Sequence, residues 1–280
     1  MARNLLYSLL HTVPFSTSPF FLILSLFLLI SCEKELDFQY HDVSAQLVVE
    51  AQITELGSTV SLTETTPMNE PMDLTHLVDA TVTVTDLSDG TILTLLPDAE
   101  GVFTNPTPGI VGHDYRVDIE RDGKSYSSAG TMLSPTEITT LDFQWIKMPY
   151  DYVAVLKVEF TALPGDDDCY WIRLFRNGEP YSWDLVDDRN AADGVVSEVI
   201  MTSRRDTDEE DEKDVLLDGD VVTVSVTPLS RSLYDYFTSL SADSNGPRMF
   251  EGDFCLGYFI TATSATSSIT FHPDRLTEYK

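Results

Sequence analysis

Apolar residues are distributed along this chain in two ways. Residues 20–30 (FFLILSLFLLI) form one unbroken apolar run. From residue 47 onward, apolar and polar residues mostly alternate, the period of a strand with one buried face. Leu47-Val48-Val49-Glu50-Ala51-Gln52-Ile53 alternates from Val49. Ala80-Thr81-Val82-Thr83-Val84-Thr85 alternates strictly and puts Ala80, Val82 and Val84 on the inward face. Asp89-Gly90 is a hairpin signal, with a return strand at 91–96 and another at Gly101-Val102-Phe103. Tyr115, Val117 and Ile119 share a face, and Asp122-Gly123 turns the chain toward Lys124-Ser125-Tyr126.

The pattern continues after Ser134-Pro135, which marks a boundary. Strands are expected at 138–145 and 153–160, with Leu156, Val158 and Phe160 on one face. Asp166-Asp167-Asp168 reads as a turn. An aromatic strand at 170–175 ends at the Asn177-Gly178 turn signal. Residues 184–194 and 203–220 read as acidic loops, and Val222, Val224 and Val226 as a strand. The period then changes: Leu229, Leu233, Phe237 and Leu240 recur at helical spacing, with Pro228 just before and Ser230 as N-cap. Strands close the chain at 254–261 and 268–271. Short strands at this spacing predict a mostly β protein: an Ig-like β-sandwich at 45–132, and a C-terminal β-sandwich at 133–280 with one packed α-helix near 230–241.

The apolar run at 20–30 has a different meaning. It is 11 residues long, whereas a spanning helix needs roughly 20. Arg3 precedes it, and Leu29-Ile30-Ser31-Cys32 ends it. That order of charge, apolar stretch and small residue before cysteine resembles a bacterial lipoprotein signal. Residues 1–31 are then a signal peptide, Leu29, Ile30 and Ser31 the lipobox, Cys32 the lipidated residue and 32–44 a linker. The resemblance implies a membrane tether made of acyl chains. Glu33-Lys34-Glu35-Leu36-Asp37 is similar to the Lys-then-acidic tag of surface-exposed lipoproteins in Bacteroidota, with Leu36 interrupting the acidic pair. An outer-membrane position, outward-facing or periplasmic, is the expectation.

Composition narrows the partners. Of 280 residues, 46 are acidic and 17 basic, a net charge of −29. Phosphate backbones need concentrated Lys and Arg, so nucleic acid is excluded as a partner. The 29 Asp and only 6 Lys suit a surface whose self-repulsion is screened by salt.

Candidate chemistry is sparse. With Cys32 lipidated, Cys169 and Cys255 remain as a candidate disulfide in an oxidising compartment, or as two buried thiols. The five histidines show no metal-ligand spacing, and no nucleophile elbow or phosphate-binding loop is present. A non-enzymatic protein without a resident cofactor is expected. Asp206, Asp208, Glu210 and Asp211, in the run 206–214, are a candidate Ca²⁺ loop, although Asp211 stands where an EF-hand has its turn glycine; Asp166-Asp167-Asp168 is a second. A solvated charge run is the favoured reading of both. Trp171, Tyr181 and Trp183 cluster around one hairpin, either as core or as aromatics that stack on a ligand.

The lipobox and acidic stretch, then LVVEAQI, VDATVTVTD and a Gly-Val-Phe turn, are together similar to an uncharacterised lipoprotein family of Bacteroidota, domain of unknown function 4249. GDVVTVSVTPLSRSLYDYFTSL and LGYFITATSA resemble its later segments. The first domain also looks like the Ig-like modules attached to TonB-dependent receptors. Kinship therefore implies an accessory of a TonB-dependent uptake receptor. The alternative is a cell-surface binding or adhesion module that recognises glycan or peptide through the loops of its second domain.

Overall fold

Alternation builds the first sheet. β1 (Leu47–Thr54), β2 (Gly57–Glu64), β3 (Thr81–Asp86), β4 (Ile92–Pro97), β5 (Phe103–Asn105), β6 (Asp114–Arg121) and β7 (Lys124–Thr131) follow one another in this computed structural model. It describes residues 44–280 apart from 68–69, 72–74, 150–151, 166–167, 205–214, 243, 245 and 279–280. Val49, Ala51 and Ile53 meet Val60, Leu62, Val82, Val84, Val117 and Ile119 in one core. Asp122 and Gly123 both take positive φ (52° and 74°), the backbone of the two-residue hairpin their sequence predicts.

Next come β8 (Ile138–Lys147), β9 (Tyr152–Thr161), β10 (Cys169–Arg176), β11 (Glu179–Asp187), β12 (Val195–Arg204) and β13 (Val221–Leu229). The chain ends with helix α1 (Arg231–Ser241), β14 (Glu251–Gly252), β15 (Leu256–Thr261), β16 (Ala265–Thr270) and β17 (Thr277–Glu278). Two four-stranded sheets, β11-β10-β13-β16 and β12-β9-β8-β17, form the second sandwich. Phe143, Leu156, Phe160, Tyr170, Ile172 and Val224 fill it. Phe160 and Tyr170 meet edge to face at 4.8 Å, and the Tyr170 hydroxyl accepts from the Leu163 N–H at 2.8 Å.

The fold is therefore mostly β, in two sandwich layers with a single α-helix among the described residues. It differs from the sequence pattern in three places. The stretch at 184–187 belongs to β11, and β2, β12 and the short β14 and β17 were not anticipated. Leu240, expected on the buried helical stripe, is half exposed, and Tyr236 is buried in its place.

The third difference concerns the chain path. The first sheet has nine strands, in the order β14-β7-β6-β3-β4-β5-β2-β1-β15. Its two outermost strands come from the C-terminal part of the chain, beyond the Ser134-Pro135 boundary. β15 lies parallel to β1, with Val49 opposite Gly257 and Ile53 opposite Thr261. Phe250, Cys255 and Phe259 thereby enter the first core. Such a parallel, long-range pairing leaves no local turn signal.

α1 sits where the two layers meet. Ser230 caps it by accepting from the Leu233 N–H. Leu233, Tyr236 and Phe237 pack with Ile260 of β15, and with Cys169 and Trp171 of β10. The Tyr236 hydroxyl accepts from the Gly257 N–H at 3.1 Å.

Candidate ligand-binding face

β10 has two unlike faces. Tyr170, Ile172 and Leu174 point into the sandwich. Trp171, Arg173 and Phe175 alternate with them and line the outer face. Register adds neighbours. Trp183 of β11 stands opposite Arg173. On the other side, Thr223, Ser225 and Thr227 of β13 pair with Phe175, Arg173 and Trp171. Beyond them, Thr266 and Ser268 of β16 stand opposite Ser225 and Thr223. One sheet face thus carries an aromatic band, a guanidinium and a row of hydroxyls, of which Ser225 and Thr227 are buried.

The guanidinium is poorly satisfied. Arg173 stacks over Trp171 at 4.4 Å and lies 5.9 Å from the Phe175 ring. Its one hydrogen bond among the described residues runs from Nη2 to Thr227 Oγ1 at 3.4 Å, at the long limit for such a bond. Its Nε is buried without an acceptor, as is Trp171 Nε1. No carboxylate pairs with Arg173 among the described residues. Other arginines behave differently: Arg121 bonds Asp79 and Glu64, and Arg176 bonds Asp220. Burial pulls the Arg173 pKa down, and Tyr258 opposes this only in part.

Trp171 is held from the other side by α1. Phe237 stacks on it at 4.8 Å and also touches Tyr258 of β15. Tyr258 donates to Glu50 Oε1 at 3.3 Å. Burial raises its pKa, and the Glu50 charge and that bond push it the same way. Trp183, by contrast, is 49% exposed. A groove of about 290 Å³ runs along Trp171, Arg173, Phe175, Pro180, Tyr181 and Trp183.

All three residues of the expected aromatic trio border this groove, but in different ways. Trp171 and Trp183 share the outer face. Tyr181 packs against the inner core, and its hydroxyl donates to the Thr202 carbonyl at 3.1 Å. Arg173 and Phe175 were not anticipated; the Trp-x-Arg-x-Phe alternation on β10 was their available signal.

Other expectations fare differently. Cys169 and Cys255 form no disulfide. Cys169 lies in the α1 cluster, with the Arg231 guanidinium 3.3 Å from its sulfur. Cys255 belongs to the first core, where burial pushes its thiol up to about 11. Because β15 returns to β1, the two sulfurs enter different cores. Asp206, Asp208, Glu210, Asp211, Asp166 and Asp167 lie outside the described residues, as do Leu29, Ile30, Ser31 and Cys32. Among the described residues no group of three His, Cys, Asp or Glu side chains is placed to hold a metal. No described helix is long and apolar enough to cross a membrane.

A larger groove, near 520 Å³, runs beside Arg116 and Arg248. Both of its cations are engaged: Arg116 with Asp118, and Arg248 with the carbonyls of Gly252 and Asp253.

The family model described as "Domain of unknown function (DUF4249)" matches residues 33–268. The chain belongs to this family. For this DUF4249 protein, no curated protein gives a match. Solved structures that resemble it include a cytokine receptor complex, at 9% identity over 80% of this chain and 95% of that chain, TM-score 0.28. A two-domain fibronectin type III segment of chicken tenascin aligns at 13% identity over 81% and 99%, TM-score 0.23. A second crystal form of a cytokine receptor complex aligns at 10% identity over 65% and 90%, TM-score 0.27.

Proposed function

We propose that this DUF4249 chain is a non-enzymatic lipoprotein, tethered to the outer membrane through Cys32, that binds a ligand on the outer face of β10 and β11. The observation that carries the binding role is Arg173, half buried among Trp171, Phe175 and Trp183 with no carboxylate partner among the described residues. In a chain of net charge −29, carboxylates are the commonest neighbours a guanidinium could have. A sheet face that keeps one guanidinium away from them, beside exposed aromatic surface, has the composition of a binding site. The tether rests on the Leu29-Ile30-Ser31-Cys32 sequence and on the short apolar run before it. A chain anchored there enters β1 at Leu47. The link to the second sandwich leaves from the other end of that strand, past Thr261.

The test has two arms. Lipidated protein, solubilised in mild detergent, is screened against immobilised glycans and peptides, together with Trp183→Ala. Ligand capture by the parent and its loss in the variant support the reading. Capture that Trp183→Ala leaves intact moves the site elsewhere. Cys32→Ser tests the tether: it should leave the protein unprocessed and absent from outer-membrane vesicles.

A second reading, an accessory docked on a TonB-dependent uptake receptor, draws on a different surface. Leu56, Leu87, Ile110 and Val111 are large apolar residues left exposed. They lie on loops tied together by the Gly109 N–H to the Thr54 carbonyl and the Leu87 N–H to the Asp114 carbonyl, at 2.8 and 2.7 Å. Clustered exposed apolar side chains favour a protein partner. Co-purification of a stoichiometric membrane receptor, lost on Leu56→Asp, supports this role; recovery of the lipoprotein alone counts against it.

A further inference from the structure

We propose that the ligand of this face is an acidic saccharide, whose carboxylate is held by Arg173 while its ring stacks on Trp183. The assignment rests on the binding role proposed above and names the ligand class for that same face.

Three features point to this chemistry. The first is the unmet donor capacity of Arg173. A guanidinium carries five N–H donors in a planar fork that matches a carboxylate. Only one of them has a described acceptor here, at 3.4 Å. Stacking on Trp171 holds the plane of the group in place, so a carboxylate meets an oriented fork.

The second is the aromatic surface. Trp171 is enclosed between Phe237 and Arg173, which leaves Trp183 as the accessible ring. A flat, half-exposed indole opposite a cation accepts the apolar face of a pyranose ring with its carboxylate directed at Arg173. Trp side chains supply such contact area at small entropy cost.

The third is the hydroxyl row. The Thr223 and Ser268 hydroxyls lie 2.9 Å apart and are open to solvent, whereas Ser225 and Thr227 are buried and take no part. Hydroxyls both donate and accept, so they match the hydroxyls of a sugar. A peptide would ask this surface for pockets between side chains and for a row of open backbone groups on the same face. β10 offers no such backbone row, because both of its edges are paired, to β11 and to β13; in the β10–β11 hairpin only the outer edge of β11 stays open.

Net charge limits the ligand to few carboxylates. A chain at −29 repels a long polyanion. A short oligosaccharide with a uronic acid at the Arg173 position avoids most of that repulsion.

The experiment measures binding by calorimetry and tryptophan fluorescence, with full-length lipidated protein in detergent. The probes are a galacturonic acid trisaccharide, its carboxyl-reduced neutral counterpart, and a tripeptide with a free C-terminal carboxylate. The parent should bind the acidic sugar at least about ten-fold more tightly than the neutral one, the effect of one charge-assisted contact. Arg173→Gln should erase that preference. Trp183→Ala should weaken both sugars by a similar factor, and added salt should weaken only the acidic one. If Arg173→Gln fails to fold, the salt dependence and Trp183→Ala decide the matter in the parent background.

Equal affinity for the two sugars overturns the proposal. So does a preference that survives Arg173→Gln, tighter binding of the tripeptide, or no sugar binding at millimolar concentration. If the acidic sugar fails while another ligand from the screen is still lost in Trp183→Ala, the carboxylate assignment falls and the binding face stands.

Discussion

Gly257 shows how much one position can constrain. Its φ is +118°, and a Cβ there would lie 1.8 Å from the Val49 carbonyl oxygen. No rotamer relieves such a clash, because the obstacle is backbone of the strand it pairs with. Gly257→Ala should cost about 3 kcal/mol or more, read as a lowered denaturation midpoint. A variant within about 0.5 kcal/mol of the parent would mean that β15 does not lie against β1 in this register. Arg173 is the opposite kind of residue. It stacks on Trp171 but is desolvated without an ion pair among the described residues, so gains and losses nearly cancel. Arg173→Met should change stability by less than about 1 kcal/mol. A large loss in urea unfolding would assign Arg173 to structure. The two cysteines give a third expectation at this scale. A thiol reagent should find Cys169 and Cys255 only after unfolding, and reductant should leave the unfolding midpoint unchanged. A reductant-sensitive midpoint would restore the disulfide.

At the scale of elements, the β10–β11 hairpin depends on a carboxylate outside it. Asp220 precedes β13 and binds Arg176 Nε, Asn177 Nδ2 and the Leu217 N–H, each at 2.7 Å. Asn177 and Gly178 form the turn, both with positive φ. Burial alone would raise the Asp220 pKa. The Leu217 N–H, Asn177 and Arg176 outweigh it and hold the carboxyl below its ordinary value. A depressed carboxyl stabilises the fold above its unfolded pKa and loses that contribution as pH falls through the folded one. Asp220→Ala should therefore cost about 3 kcal/mol at neutral pH. The difference from the parent should shrink below roughly pH 4. Equal losses at pH 7 and in strong acid would show that packing, not charge, is what the substitution removes. Because the hairpin carries Trp183, the same variant should also weaken ligand capture.

Over the whole molecule, the 29 uncompensated negative charges act as self-repulsion that salt screens. Thermal midpoints should rise when NaCl is added to dilute buffer. A midpoint indifferent to salt would show that the acidic groups are far enough apart to ignore one another. Closure of the first core by residues 249–262 has a second consequence at this scale. Unfolding should be one cooperative transition, since the first sheet is incomplete without β15 and α1 packs on both layers. Two separated transitions in calorimetry would contradict that.

Most strand positions, hairpin turns such as Asn177-Gly178 and the helix cap at Ser230 could be read from the sequence, because each depends on residues within one turn or one strand. Val82 and Val84 face the core as their alternation says, and Asn177-Gly178 makes the turn its dipeptide encodes. The parallel return of β15 to β1 could not be read, because nothing local records which distant strand a segment will join. That pairing separates Cys169 from Cys255. Tertiary register also put Arg173 opposite Trp183 and turned Tyr181 inward. A strand's alternation says that two faces differ, whereas only the fold decides which face is covered and which residues from other strands stand beside it.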